Sequence, residues 1–547
     1  MKSIKAELVF DRRTFLAAGA STALCAATVG VVRAQVATAT VLAKTSNGPI
    51  IGLVYDGIET FKGVRYGAPP VGALRFAPPQ KPAPWSTPAD ATHYGNAAMQ
   101  LRSGGSAVAY PGTVGIALEQ VYSTPDDVQR QNEDCLFLNV WTPASDNRAR
   151  PVMVWFHGGG FNYGSGSWPA YDGHNLAKRH DVVVVTVNHR LNALGYLYLG
   201  ELGGEPNSGN AGQLDLIAVL QWVRDNIGSF GGNPSNVTIF GQSGGGAKVS
   251  TLMAMPAAKG LFHRAIIESG PGLRGVPKDI ATDTAKSVMA KLGITDARAL
   301  RNMPAQALVD AAAGLQTPGG IGMLRFAPVV DGGNLPTHPF DPVAPAQSAN
   351  IPVMIGCTKD EQTLYNVGLP WWGKLDEAGA LALLKKNPML AAKADALWAA
   401  AKKAFPADSP SYLYTDIVSK TFAFTGSATL AERKAAQGAA PVYMYIWNWG
   451  APLENGILRA PHTMEIGFAF DNLDKGPLLY GNSPSAEHLA RITSDAWVSF
   501  ARNGDPNHAA LPHWPAYDAE NRATMIFDVK SKVENDPYAD FRKLLIT

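Results

Sequence analysis

Between Val237 and Met255 the chain reads VTIFGQSGGGAKVSTLMAM, an apolar run, then Gly-x-Ser-x-Gly, then a segment that can resume as helix. A serine set between glycines directly after a buried strand marks a sharp strand-to-helix turn, because glycines let the backbone reverse without crowding it. Gly241, Gln242, Ser243, Gly244 and Gly245 thus present a hydroxyl at the end of a sheet, and Ser243 is the candidate nucleophile. The same run is not a phosphate-binding loop. Ala247 separates Gly246 from Lys248, and Val249 follows where that motif needs Ser or Thr.

The rest of the chain repeats the alternation. GPIIGLVYDGIETFKGVRYGAPPVGALRFAPP predicts short strands joined by Gly and Pro turns, and residues 100–130, polar and Gly/Ser-containing, predict a surface excursion. PVMVWFHGGGF carries a buried apolar strand ending in glycines, and the four consecutive valines of HDVVVVTVNHR favour a strand covered on both faces. AGQLDLIAVLQWVRDNIGSF has helical spacing, with Asn233 and Pro234 predicting a turn before VTIF. Residues 271–345 are irregular with Ala-rich helical stretches, PVMIGCTKDE is a strand ending in acids, and 380–404 is an Ala, Leu and Lys-rich helical patch. VYMYIWNW is another strand, and LARITSDAWVSFARNG a late helix. The expected fold class is α/β: a mostly parallel sheet flanked by helices, with right-handed crossovers and insertions that wall the site. Neither a fixed repeat nor a linker divides the chain, so residues 35–547 are expected to form one catalytic domain.

Composition excludes several function classes. Of 547 residues 46% are hydrophobic and 17% charged, with 55 Gly and 39 Pro, which describes a loop-rich globular chain with ample core. Residues 1–34 carry Lys2, Lys5, Arg12, Arg13 and Arg33 against Glu7 and Asp11. Without them 42 basic and 43 acidic side chains remain of the 47 and 45, a net charge of −1. A near-neutral body with no basic run has no electrostatic footprint for nucleic acid or an anionic membrane. The leader places Arg12 and Arg13 before a small-residue apolar stretch and ends in Val32, Arg33 and Ala34, resembling a bacterial twin-arginine export signal. Engagement of that export machinery, cleavage, and a periplasmic or secreted mature protein without a stable membrane span are the expectations. Cys135 and Cys357 alone remain after the leader, too few for a disulfide framework.

His157, Gly158, Gly159, Gly160 and Phe161 close the strand PVMVWF. Adjacent backbone N–H groups converge on a developing oxyanion where no side chain obstructs them. Gly159 and Gly160 are candidate donors, with Gly244 as the third. Glu361 follows the strand PVMIG and His462 lies beyond VYMYIWNW, so both can reach the sheet edge; neighbouring Asp360 competes for the acid's place. His157 is expected to organise the glycine loop, Glu133 and Asp134 to make ionic or backbone contacts, and Glu465 to be a structural partner near His462. His189 with Arg190 fits either anion binding or a structural strand end. No HExxH run or cysteine cluster calls for a metal, and no organic cofactor is implied.

Taken with FKGVRYGAPPVGALRF, EDCLFLNVW, NIGSFGGNPSNVTIFGQSGGG, FAPVVDG, KDEQ, HTMEIGFAF and WVSFARNGDPN, the chain from about residue 48 to 530 resembles the type B carboxylesterase family, which includes cholinesterase-like enzymes and bacterial para-nitrobenzyl esterases. That resemblance implies an α/β-hydrolase fold, a triad of Ser243, Glu361 and His462, and small, mainly apolar carboxylic esters as substrates. Lactonase, thioesterase or amidase chemistry with the same triad, and a noncatalytic cholinesterase-like binding protein, are the alternatives. Departures accompany it. The family commonly has Glu before the serine and Ala after it, where this chain has Gln242 and Gly244; losing the charge weakens the case for quaternary-ammonium substrates. The common Asp-Gln pair is Asp215 and Leu216, so one supporting polar network is expected to be missing, and Cys135 has no upstream mature cysteine to pair with. Trp168, Tyr171, Tyr196, Tyr198, Met323 and Phe326 fit an apolar gorge or plain core equally well.

Overall fold

A computed structural model describes residues 37–101, 110–124, 130–313, 315 and 325–546. The leader with its paired arginines lies outside them. A 13-stranded sheet forms the spine. Its strands in chain order are β1 (Ala39–Lys44), β2 (Pro49–Tyr55), β3 (Ile58–Arg65), β4 (Ala89–Asp90), β5 (Phe137–Thr142), β6 (Arg150–Phe156), β7 (Val183–Val187), β8 (Gly232–Gln242), β9 (Arg264–Glu268), β10 (Val353–Thr358), β11 (Val442–Trp447), β12 (Ala523–Phe527) and β13 (Lys532–Asn535). Across the sheet the order is β1-β2-β3-β5-β7-β6-β8-β9-β10-β11-β12-β13, with β4 beside β2. From β7 to β12 neighbouring strands run parallel, and antiparallel pairs close both edges. This is the α/β architecture expected from the alternation of strands and helices.

The pattern inside each central strand explains the layering. Val152, Val154 and Phe156 of β6 enter one core, while Met153 and Trp155 enter the other. Val442, Met444 and Ile446 of β11 likewise oppose Tyr443, Tyr445 and Trp447. Successive side chains point to opposite faces, and both faces are covered, so these strands read as unbroken apolar runs. The helix Ala211–Asn226 covers the first face with Leu216, Val219, Leu220 and Val223; the helix Pro484–Asn503 covers the second with Leu489, Trp497 and Phe500.

Several expectations need correction. Asn233 and Pro234 do not end an element: they sit inside β8, where the register with β6 jumps between Gly232 and Val237, and Asn233 Oδ1 accepts from the Ser235 N–H (2.9 Å). The turn signal is expressed as a local Asx bend within an extended segment. The described part of 100–130 is not all surface excursion, because Val114–Tyr122 is a helix burying Val114, Ala117 and Val121. The patch at 380–404 is two helices, Glu377–Lys386 and Ala394–Ala404. Among the described residues, no helix is long and apolar enough to cross a membrane.

Candidate active site

Five neighbouring parallel strands deliver the site from their carboxyl ends. Beyond β6 lie Gly158, Gly159 and Gly160; beyond β8, Ser243; at the end of β9, Glu268 with Ser269; beyond β10, Glu361; and beyond β11, His462. In an open parallel sheet this edge is where loops from adjacent strands meet around a ligand.

Ser243 occupies the tightest turn. Its backbone has φ 59° and ψ −124°, a region that L residues rarely enter and that costs on the order of 1–3 kcal/mol. Neighbours hold it there. The Ser243 N–H donates to Glu268 O (2.7 Å), the Ser243 carbonyl accepts from Ala247 N (3.1 Å), and the helix Gly244–Leu252 begins at once.

The glycine loop docks against this turn. A Cβ on Gly244 would lie 2.1 Å from Gly160 O, so the absence of a side chain there lets the two segments meet this closely. Gly159 and Gly160 have φ of 84° and 62°. Among the described residues, the N–H groups of Gly159, Gly160 and Gly244 have no acceptor. Gln100 pins the far end of the loop, accepting from Gly164 N (2.8 Å) and donating to Gly164 O (3.0 Å).

His462 and Glu361 meet directly. A short hydrogen bond joins His462 Nδ1 to Glu361 Oε2, the Glu361 Oε1 accepts from Thr358 N (2.8 Å), and the His462 N–H donates to Glu361 O (3.3 Å). Asp360 turns elsewhere: its Oδ2 accepts from Ala460 N (3.2 Å) and Arg459 lies 3.9 Å away. The imidazole is buried between the rings of Phe422 (5.4 Å) and Tyr365 (5.8 Å). Gln242 Nε2 stands 3.3 Å from both ring nitrogens.

Behind the imidazole lies a second pair of acids. Glu268 Oε1 accepts from Trp497 Nε1 (2.8 Å) and Glu465 Oε1 from Ser269 Oγ (3.0 Å), while the remaining oxygen of each has no partner among the described residues. Burial pushes the Glu268 carboxyl up to about 7. Glu465 is held well above the usual range by burial, then by Glu268 and Glu361.

The other sequence candidates fall into structural roles. His157 is buried and held neutral by desolvation, its Nδ1 2.9 Å from Gly158 O, and its ring stacks on His189 (5.0 Å). Arg190 is locked to Asp215 by two bonds (2.6 and 2.9 Å), which favours the structural reading of that strand end over anion binding. Asp215 therefore keeps a polar network although Leu216 joins the apolar core. Glu133 pairs with Arg75 and Asp134 with Arg65. Cys135 and Cys357 are free and buried. Tyr171, Tyr196, Tyr198 and Phe326 belong to core clusters rather than to a gorge, Trp168 packs against one, and Met323 lies outside the described residues. Sequence reasoning missed Gln100, Glu268, Tyr365 and Phe422 around the site, and weighed Gln242 only for its lack of charge and Lys248 only against a phosphate-binding loop. Glu268 carried a usable signal, an acid closing a short apolar strand, which is the logic that singled out Glu361.

The sheet, the serine turn and the acid-bound histidine define an α/β-hydrolase-fold serine hydrolase. The sequence profile of the Carboxylesterase family matches residues 39–543. The chain is 36% identical to the para-nitrobenzyl esterase of Bacillus subtilis, covering 92% of this chain and 97% of that one, and 34% identical to the phenmedipham hydrolase of Pseudarthrobacter oxydans, covering 89% and 94%. A crystal structure of a Geobacillus stearothermophilus carboxylesterase superposes with a TM-score of 0.78 at 37% identity, covering 92% of this chain and 99% of that chain. The chain belongs to the carboxylesterase family, type B, and is a carboxylic ester hydrolase.

Proposed function

We propose that ester cleavage proceeds through a Ser243 acyl-enzyme. His462 takes the Ser243 proton as Oγ attacks the ester carbonyl, and Glu361 holds the ring and balances its positive form. The N–H groups of Gly159, Gly160 and Gly244 receive the tetrahedral oxyanion, each worth on the order of 3 kcal/mol to the reaction. His462 then protonates the departing alcohol, and water attacks the acyl-enzyme by the same route. The observation that carries this reading is the Glu361–His462 bond, two strand ends from a serine held at φ 59°. Small, mainly apolar esters fit the aromatic surroundings of His462, formed by Phe422 and Tyr365. Ser243→Ala and His462→Ala are each expected to lower kcat by at least about three orders of magnitude with folding intact. Circular dichroism and turnover of a small ester check this; a folded variant keeping more than a tenth of native turnover overturns the assignment.

We further propose that residues 35–547 act as one catalytic domain in the periplasm or outside the cell, after twin-arginine export and removal of residues 1–34. The paired Arg12 and Arg13 and the Val32–Ala34 ending support it. N-terminal sequencing of the exported protein is expected to begin near Gln35. Material starting at Met1 in that fraction counts against cleavage.

A further inference from the structure

Lys248 is the fifth residue past Ser243, on the helix Gly244–Leu252, and its side chain is fully buried. Among the described residues it has no carboxylate partner. Its Nζ donates instead to His157 O (2.8 Å), and the Phe161 ring centre lies 5.6 Å away. An amine enclosed without a counter-ion is a burden on stability that calls for a reason. The place it reaches supplies one, because His157 opens the glycine loop.

Peptide units are planar and trans, so fixing a carbonyl on one side aims the N–H of the same unit to the other. Lys248 fixes the His157 carbonyl and thereby the Gly158 N–H. The His157 ring, through Nδ1, fixes the Gly158 carbonyl (2.9 Å) and thereby the Gly159 N–H. The loop is thus oriented by two consecutive bonds, the first of them from a cation rooted in the nucleophile's own helix. Gln213 anchors that helix from the neighbouring one, donating to Lys248 O (2.8 Å).

We propose that Lys248 is a positioning residue for ester cleavage, whose ammonium aims the oxyanion loop through His157 O and stabilises the oxyanion electrostatically from behind the glycine N–H groups. The proposal rests on the oxyanion role of Gly159, Gly160 and Gly244. Among the described residues, the ionisable groups that feel Lys248 are His157 and the His189 stacked on it. Both histidines are held neutral, first by burial and then by Lys248 itself. Burial lowers the Lys248 amine to about 7.

The test uses Lys248→Met, which keeps length and apolar volume while removing charge and donor. With a small neutral ester, kcat is expected to fall 10- to 100-fold with KM within threefold, and inhibition by a trifluoromethyl ketone, which forms a tetrahedral oxyanion on serine, to weaken by the same factor. A folded variant with both kcat and inhibition within threefold of native, or with KM alone raised, overturns the proposal. The matched methyl ketone separates the two readings. If the native enzyme does not prefer the trifluoromethyl ketone, the oxyanion assignment fails; if it does and Lys248→Met keeps that preference, Lys248 alone is acquitted of the role. Should Lys248→Met not fold, Lys248→Gln carries the same measurements.

Discussion

Glu361 and Asp360 leave adjacent residues for different partners, Glu361 for the His462 ring and Asp360 for the backbone of Ala460. Both residues lie in the turn that follows β10, which ends at Thr358, and that turn aims one of the two at the imidazole. Removing the charge from Glu361 leaves the hydrogen bond's shape but takes away what stabilises imidazolium. Glu361→Gln is therefore expected to lower turnover of a small neutral ester near pH 8 by at least about 100-fold. Asp360→Asn keeps an acceptor for Ala460 N and is expected to cost less than about tenfold. Thermal unfolding first shows that both are folded; the rate of Ser243 labelling by an uncharged phosphonate then repeats the comparison without turnover. If Asp360→Asn lost both activities while Glu361→Gln kept them, the acid would move to Asp360. Sequence pattern left these two open, because a one-residue choice depends on where β10 ends and how the next turn lies, neither of which periodicity records.

At the scale of elements, the legible features were those encoded locally. Of the seven strands that lie in the sheet from β7 across to β12, five stood out as apolar runs covered on both faces: β6, β7, β10, β11 and, from Val237 on, β8. The Gly-x-Ser-x-Gly turn and the glycine run after β6 also needed no knowledge of their neighbours. β9 and β12 were not legible. Between its two charged ends β9 has Ala265, Ile266 and Ile267, and β12 is a five-residue ATMIF; both become strands through their neighbours in the sheet. Side-chain partners far apart in the chain were equally hidden: Lys248 and His157 O are 91 residues apart, Gln242 and the His462 ring 220. The glycine after Ser243 reads in sequence as a residue that lets the backbone reverse without crowding, yet what it admits is the Gly160 backbone, a docking of two elements that sequence spacing does not contain.

Across the whole molecule, the strand ends that gather the site also concentrate acids in the interior. Glu268, Glu361 and Glu465 are all fully buried, and Tyr445 in β11 is pushed up by burial and then by Glu465 and Glu268. Glu361 has the His462 ring as partner, whereas Glu268 and Glu465 each keep one oxygen unpartnered. This arrangement links global stability to pH. The Glu268 carboxyl rises from 4.5 to about 7 on folding, so between those values the folded state holds a proton that the unfolded chain has released. Stability from this group is complete below pH 4.5 and is lost as pH climbs from there through about 7. Glu268→Gln retains an acceptor for Trp497 Nε1 and removes the titration. The variant is expected to gain about 2–3 kcal/mol over the native protein at pH 8 relative to their difference at pH 4.5. Urea unfolding at the two pH values measures it, provided both proteins unfold in one step. An offset between the two proteins that stays constant from pH 4.5 to 8 would mean that Glu268 does not change protonation on folding, and the acids behind His462 would then have to be neutralised some other way.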